Sequence, residues 1–159
     1  MFKIYDDFFD IEQQKNILNY CLEAPYIYGE VDTDDTPPTG FVHDIPKEEK
    51  INGLFRAKLK RIVPKGMVFY RMYINCFAPK EIPYFHTDGD NGITFLYYPQ
   101  YDWNFNDGGE TQLFVEDNIY GVVPISNRLL MFDANLLHRA TTFRDRHRFT
   151  VAIKYEEEE

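Results

Sequence analysis

His86 and Asp88 stand one residue apart in the stretch "PYFHTDGDNG", residues 83–92. On extended backbone that spacing points both side chains to one face, a geometry suited to gripping a single metal ion. A third ligand must come from elsewhere, and only His43, His138 and His147 remain of the four histidines. His138 follows "RLLMFDANLL", the end of an apolar run late in the chain, where an antiparallel β fold can bring it back to His86. Two imidazoles and one carboxylate on one face leave coordination positions open, which is the ligand set of non-haem Fe(II) oxygenases. Alone this is a weak signal, because His-x-Asp also arises as a hydrogen-bonded surface pair. His147 reads as a surface imidazole and His43 as a residue entering a helix.

A second constellation strengthens the first. Arg148 stands ten residues after His138 and opens "RFTVAIKY", with Thr150 on the same strand face. A guanidinium offers a planar fork that fits a carboxylate bidentately, and a neighbouring hydroxyl adds a hydrogen bond. A dicarboxylate that chelates a metal at one end needs such an anchor at the other. Tyr98, which closes "ITFLYY", supplies a further hydroxyl, and Thr94 lies on the same strand face. The competing reading makes Arg148 a solvated edge cation, since Arg139, Arg144 and Arg146 crowd the same region, and Tyr98 a core residue.

The elements that must position these residues fall into two regions. Asp10 can cap a helix through about Leu22, with Ile11, Ile17, Leu18, Cys21 and Leu22 as its apolar side. After the Pro- and Gly-rich loop "YGEVDTDDTPPTG", the segment "IPKEEKINGLFRAKLKRIV" predicts a second helix, with Ile51, Leu54, Phe55, Leu59 and Ile62 at helical spacing. From Met67 onward "MVFYRMYINCF", "ITFLYY", "TQLFV", "IYGVV", "RLLMFD" and "RFTVAIKY" read as strands separated by Gly, Pro, Asn and Asp. They lie too close together for intervening helices. The expected fold class is mainly β, a sandwich, jelly roll or barrel with the N-terminal helices packed outside it. The expected organisation is one domain over 1–159, with a helical part about 1–65, a β core about 66–155 and an acidic tail 156–159.

Charge and composition narrow the possible partners. The net charge of −9 concentrates in "EVDTDD" and the terminal "EEEE"; without those eight acids, 18 remain against 17 bases. Both runs read as solvated, mobile segments. The balance disfavours nucleic acid, although "HRATTFRDRHR" is locally basic. No apolar run is long enough to span a bilayer, and "MFKIYDDFFD" lacks the pattern of a secretion signal. Two cysteines, Cys21 and Cys76, do not make a disulfide framework, so free thiols in the cytoplasm are the expectation.

From about Tyr70 to Tyr155 the chain resembles the 2-oxoglutarate and Fe(II)-dependent oxygenases, in particular their prolyl-4-hydroxylase-like branch. The resemblance rests on "HTD", "TFLYYPQYDWNFNDGGETQLF", "NRLLMFDANLLH" and "RFTVAIKY", in that order. The run "YY…DW…GG" is similar to the segment after the first metal ligands of the oxygen-sensing prolyl hydroxylases, and "GGETQLF" to a Gly-Gly-x-Thr-x-x-Phe strand of the wider group. This implies a double-stranded β-helix (a jelly roll, cupin-like) with iron on His86, Asp88 and His138. It also implies 2-oxoglutarate and O2 as cosubstrates, with ascorbate in a supporting role. Arg148 would meet the distal carboxylate of 2-oxoglutarate, assisted by Tyr98 and Thr150; Arg rather than Lys here separates the chain from the collagen-type enzymes. The family's Tyr nine or ten residues before the first His is replaced by Phe77, with Cys76 before it, leaving Tyr73 or Asn75 to supply a polar contact. The Gly that follows that Tyr is also absent.

The implied activity is hydroxylation of an unactivated C–H bond, with a prolyl residue of a peptide or protein as the leading substrate. A free amino acid or other small molecule is the alternative, followed by a nucleic-acid demethylase and, last, a metal-binding jelly roll without catalysis. Tyr101, Trp103 and Arg139 are the expected substrate contacts, from the loop "PQYDWNFNDGG" and the residue after His138. The loop "YGEVDTDDTPPTG" is a candidate lid.

Overall fold

In the computed structural model, which describes residues 1–158, the chain builds two antiparallel β-sheets and two helices. The elements in chain order are β1 (Phe2–Tyr5), α1 (Ile11–Glu23), β2 (Ile27–Tyr28), β3 (Phe41–Asp44), α2 (Lys50–Leu59) and β4 (Met67–Phe77). There follow β5 (Ile93–Tyr98), β6 (Thr111–Val115), β7 (Asn118–Val122), β8 (Arg128–Asp133), β9 (His138–Ala140) and β10 (Arg148–Glu157). The larger sheet has the order β1-β8-β5-β10-β4-β3-β2, and the smaller β7-β6-β9. No helix among the described residues is long and apolar enough to cross a membrane.

Strand alternation sorts the side chains of the larger sheet onto two faces. Phe95, Tyr97, Val151, Ile153 and Ile74 share one core with Ile17 and Cys21 of α1 and Phe55 and Leu59 of α2. Leu96, Tyr98, Ala152, Tyr73, Leu130 and Phe132 face the other way and meet Leu113 and Val122 of the smaller sheet. The second face is where the candidate site lies. β10 pairs with both β5 and β4, which aligns Lys154 with Thr94 and Arg71, Thr150 with Asn75, and Arg148 with Phe77. β5, covered on both faces, is buried along its whole length, which explains its nearly unbroken apolar and aromatic character.

α1 begins at a capping box: the Asp10 carboxylate accepts from the Gln13 backbone N–H, and the Gln13 side chain accepts from that of Asp10. Its buried face is narrower than the apolar stripe predicts. Only Ile17 and Cys21 are buried, whereas Ile11 and Leu22 stay more than half exposed. The helix lies against the sheet along one i, i+4 line, and residues at its ends project past the contact. α2 is shorter than the stretch 45–63 suggests, because Glu49 is its N-cap and residues 46–49 form a turn.

Residues 1–65 are not purely helical. β1, β2 and β3 extend the larger sheet at both edges, and at two to four residues each they are too short for alternation to show in the sequence. His43, expected at a helix entry, sits in β3 with its Nε2 3.1 Å from the Tyr20 hydroxyl. At the other end the acidic run is not a free tail. Glu156 and Glu157 continue β10 opposite Val68 and Met67, since ladder pairing uses backbone groups and leaves both carboxylates in solvent. Glu159 lies outside the described residues.

Candidate active site

His86 and His138 come together through the backbone. They form an isolated antiparallel bridge beside β9 and exchange both main-chain hydrogen bonds, each 2.9 Å, so their rings lie 4.5 Å apart. Asp88 is fixed by its own N–H, which donates to Ala134 O at 2.8 Å. Donor atoms of the three side chains all lie within 4.8 Å of one another. Both imidazoles have the same orientation device. Nδ1 of His86 meets Tyr84 O at 3.0 Å and Nδ1 of His138 meets Leu136 O at 2.8 Å. A carbonyl can only accept, so each Nδ1 donates and Nε2 is the ring atom left to face the cleft. Burial, partly offset by Asp88, pushes the His138 imidazole down to about 4, which keeps it a neutral donor. Burial opposes ionisation of Asp88 as well. Lys154 and His138 outweigh it, helped by hydrogen bonds from Lys154 and Thr94, and hold the carboxyl at about 2. Two imidazoles and an ionised carboxylate on one side of a cleft fit a divalent cation of the Fe(II) type.

The cleft beside the triad is a cavity of about 210 Å³. Arg148 lies at its other end, 1% exposed, with Nε donating to Gly109 O at 2.7 Å and a terminal nitrogen donating to Thr111 Oγ1 at 3.0 Å. Among the described residues no carboxylate lies within salt-bridge distance of it. An uncompensated buried cation is costly, and this one borders a cavity that also holds a metal-ligand constellation. An anion in the cavity would find a buried counter-charge there. Gly109 makes the arrangement possible: its φ is +83°, and a Cβ there would lie 2.4 Å from the Phe143 ring.

Of the residues singled out from the sequence, His86, Asp88, His138, Arg148, Thr150 and Tyr73 all line this one cavity. Tyr98 does not. Its hydroxyl donates to Thr111 Oγ1 at 2.7 Å, so it reaches Arg148 at one remove, through the threonine that Arg148 also contacts. Thr94 lies beside Asp88 and not beside Arg148, donating to Asp88 Oδ2 at 2.5 Å. Its register opposite Lys154, six residues along β10 from Arg148, places it there. Asn75 lines the cavity with an Oδ1 that has no partner among the described residues, and Phe77 lines it too.

The expected substrate contacts lie elsewhere. Tyr101, Trp103 and Arg139 do not line the cavity. The Trp103 indole donates to Gly108 O at 2.9 Å and closes its own loop. Tyr101 accepts through its backbone carbonyl from Arg146. Arg139 stacks over Phe85 at 4.5 Å and donates to Gln112 Oε1. The rim is formed by Glu30, Val31 and Asp32 from the early loop and by Tyr70 and Arg71 from β4. Asp32 Oδ2 accepts from the Tyr84 N–H at 2.7 Å, and its Oδ1 lies 3.4 Å from His86 Nδ1, which straps the loop to the arm carrying the first ligand. The candidate lid therefore borders the site. Lys154 is the chief omission from the sequence reading. It continues the alternation 148, 150, 152, 154 on β10, a signal that was available for a side chain on the cavity face.

A comparison of the sequence with protein-family profiles and with curated proteins gives no match. Comparison of the structure does. A prolyl-4-hydroxylase of Pseudomonas putida superposes with a TM-score of 0.78 at 13% identity, covering 99% of this chain and 93% of that one. A prolyl hydroxylase of Trichoplax adhaerens, in complex with a peptide fragment of the hypoxia inducible factor oxygen degradation domain, gives 0.77 at 16%, covering 98% and 83%. HygX of Streptomyces hygroscopicus, with nickel, 2-oxoglutarate and hygromycin B bound, gives 0.76 at 11%, covering 98% and 82%. At these identities the likeness establishes a shared fold across nearly the whole chain.

Proposed function

We propose that the protein is an Fe(II)- and 2-oxoglutarate-dependent dioxygenase that hydroxylates an unactivated C–H bond, with its two sheets forming a double-stranded β-helix. One observation carries the reading: the His86/Asp88/His138 cluster and the unpaired, buried Arg148 border the same small cavity. A dicarboxylate cosubstrate with a chelating 2-oxo acid at one end needs both features, and a merely structural metal site needs neither an anion anchor nor an open coordination face. The fold shared with structures that hold nickel and 2-oxoglutarate supports the same assignment.

In this reading His86 Nε2, His138 Nε2 and Asp88 hold the iron, which supplies oxygen activation when bound together with 2-oxoglutarate. The chain's own work is positional. Arg148 takes the distal carboxylate of the cosubstrate, helped by Thr150, while Thr111 and Gly109 O fix the guanidinium. Leu96, Phe77 and Ala140 supply the apolar part of the wall. Asp88 gives the metal a carboxylate where a halogenase would leave room for chloride, which favours hydroxylation.

We assign a prolyl residue in a peptide as the leading substrate class, supported by the peptide complex of the Trichoplax adhaerens structure. A polar small molecule is the second reading. Its support is the rim, where Glu30, Asp32 and Arg71 present charge around the opening, together with the hygromycin B complex of HygX. Anaerobic titration of Fe(II)-loaded protein with 2-oxoglutarate tests the cosubstrate assignment. A visible charge-transfer band is expected in wild type, absent in His138→Ala and demanding far more cosubstrate in Arg148→Ala. Iron binding without any band would overturn it. Succinate release stimulated by proline-containing peptides or by polar small molecules then separates the two substrate classes.

A further inference from the structure

Asp88 has two oxygens, and the structure treats them differently. Oδ2 accepts from the Thr94 hydroxyl at 2.5 Å and is in ion-pair contact with Lys154 Nζ. Lys154 also donates to Thr94 Oγ1 at 3.1 Å, which closes a Lys–Thr–Asp triangle. Both oxygens lie near the triad imidazoles, Oδ1 3.7 Å from His86 Nε2 and Oδ2 3.5 Å from His138 Nε2, but Oδ1 has no hydrogen-bond donor among the described residues. Lys154 is 4% exposed and comes from the strand that also carries Arg148. A register shift between Lys154 and Tyr155 gives β4 one extra residue there, and such bulges re-aim neighbouring side chains.

We propose that Lys154 is a positioning residue of the metal site. It occupies Asp88 Oδ2 so that only Oδ1 serves the metal, and its charge ties metal binding to binding of the anionic cosubstrate. The inference rests on the triad being the metal site. A carboxylate oxygen has about two lone-pair directions, and Thr94 and Lys154 together use both on Oδ2. Asp88 is then confined to one-oxygen coordination, and the position a second oxygen would take stays free for the cosubstrate. The charge argument runs in the same direction. Lys154 already offsets Asp88 through their ion pair, so a bare divalent cation enters beside a carboxylate whose charge is largely compensated. A dianion that bridges metal and Arg148 restores the balance.

The consequence is a pair of effects with opposite signs. Lys154→Met removes a cation close to the metal and frees a lone pair on Oδ2. Co(II), a spectroscopic stand-in for Fe(II), should bind at least as tightly as in wild type, with a changed ligand-field absorption. 2-Oxoglutarate added to the Co(II)-loaded variant should bind about tenfold more weakly or worse, the range for partners that orient a metal ligand. Lys154→Arg keeps the charge and the donor and should restore both readings. All measurements are made on variants whose circular dichroism matches wild type. Unchanged Co(II) spectrum and unchanged cosubstrate affinity in Lys154→Met would overturn the proposal. So would a parallel loss of both affinities, which marks a residue that only supports the fold. If neither Lys154→Met nor Lys154→Arg folds, Lys154→Gln, which keeps a donor without the charge, must retain the wild-type Co(II) spectrum and lose cosubstrate affinity. Wild type that takes up no Co(II) at all would instead remove the metal-site reading itself, an outcome distinct from failure of the Lys154 role.

Discussion

His86 and His138 face each other in an isolated antiparallel bridge, each donating its N–H to the other's carbonyl at 2.9 Å. The two imidazoles of the site are therefore placed by main-chain pairing between segments about fifty residues apart. Each Nδ1 is also tied to a carbonyl two residues earlier in the chain. The donor atoms are held in place before any metal arrives, so little reorganisation is needed to bind it.

Truncating a ligand in so ordered a site should remove affinity without disturbing the frame. His138→Ala is expected to lower Co(II) or Fe(II) affinity by about 100-fold or more, above the effect of losing an outer partner. Isothermal titration of metal into metal-free protein reads it. The backbone bridge survives the substitution, so the far-ultraviolet circular dichroism should match wild type. Retained metal affinity would place the metal elsewhere.

Arg148 tests the other end of the cavity. Arg148→Lys keeps a cation but loses the planar fork and the simultaneous contacts to Gly109 O and Thr111. The dissociation constant for 2-oxoglutarate should rise about 10- to 100-fold, or about 1.4–2.8 kcal/mol. The buried Gly109 carbonyl also loses its donor, so the melting temperature should fall in line with a loss of about 1–3 kcal/mol. Unchanged cosubstrate affinity together with lowered stability would reduce Arg148 to a packing role.

The ends of this site were more legible in sequence than its rim. His86, Asp88, Arg148 and Thr150 sit on or beside strands whose period of two fixes which way a side chain points. The strand runs from Met67 to Val122, and those of β8 and β10, stood out by composition for the same reason. Residues on loops had no such rule. Trp103 turned back to hydrogen-bond Gly108, within its own loop, whereas Glu30 and Asp32 reached the cavity because Asp32 caps the Tyr84 N–H far along the chain. β9, at three residues, is defined by pairing with β6 and carries no pattern of its own. Lys154 was readable by alternation, but a lysine in a strand is ordinarily assigned to solvent.

The two cysteines give a prediction at high pH. Burial, with a smaller push from Cys76, raises the Cys21 thiol to about 12, and burial raises Cys76 to about 11, from an ordinary value of 9.0. In the unfolded chain both thiols lose protons near 9, while the folded protein keeps them. Stability should thus be level below about pH 9 and fall as pH rises toward 11–12, by about 1–3 kcal/mol at pH 10. Denaturant unfolding at pH 8 and pH 10 measures the loss, and Cys21→Ala with Cys76→Ala should shrink it. Iodoacetamide at pH 8 should label neither thiol until the protein unfolds. Fast labelling of native protein would contradict the burial.

Asn127 ties the N-terminal segment to the central sheet. It is 2% exposed; its Oδ1 accepts from the Phe9 N–H at 2.8 Å and the Tyr97 hydroxyl at 3.1 Å, and its Nδ2 donates to Phe9 O at 2.7 Å. Its φ of +64° is tolerated by Asn better than by most residues. Asn127→Ala therefore loses three buried hydrogen bonds and adds backbone strain, and should destabilise the protein by about 2–4 kcal/mol. Asn127→Gly removes the same hydrogen bonds but relieves the strain, so it should be less damaging than Ala by about 1 kcal/mol. Phe9 packs edge-on against both Phe55 and Tyr97, at 5.0 and 5.3 Å. Its release should loosen α1 and α2 from the sheet before the metal-binding face is disturbed. Hydrogen exchange on Asn127→Ala should show protection lost first in α1 and α2 and kept in β5 and β10. Uniform loss of protection across all four would mean that the helices and the sheet open as one unit.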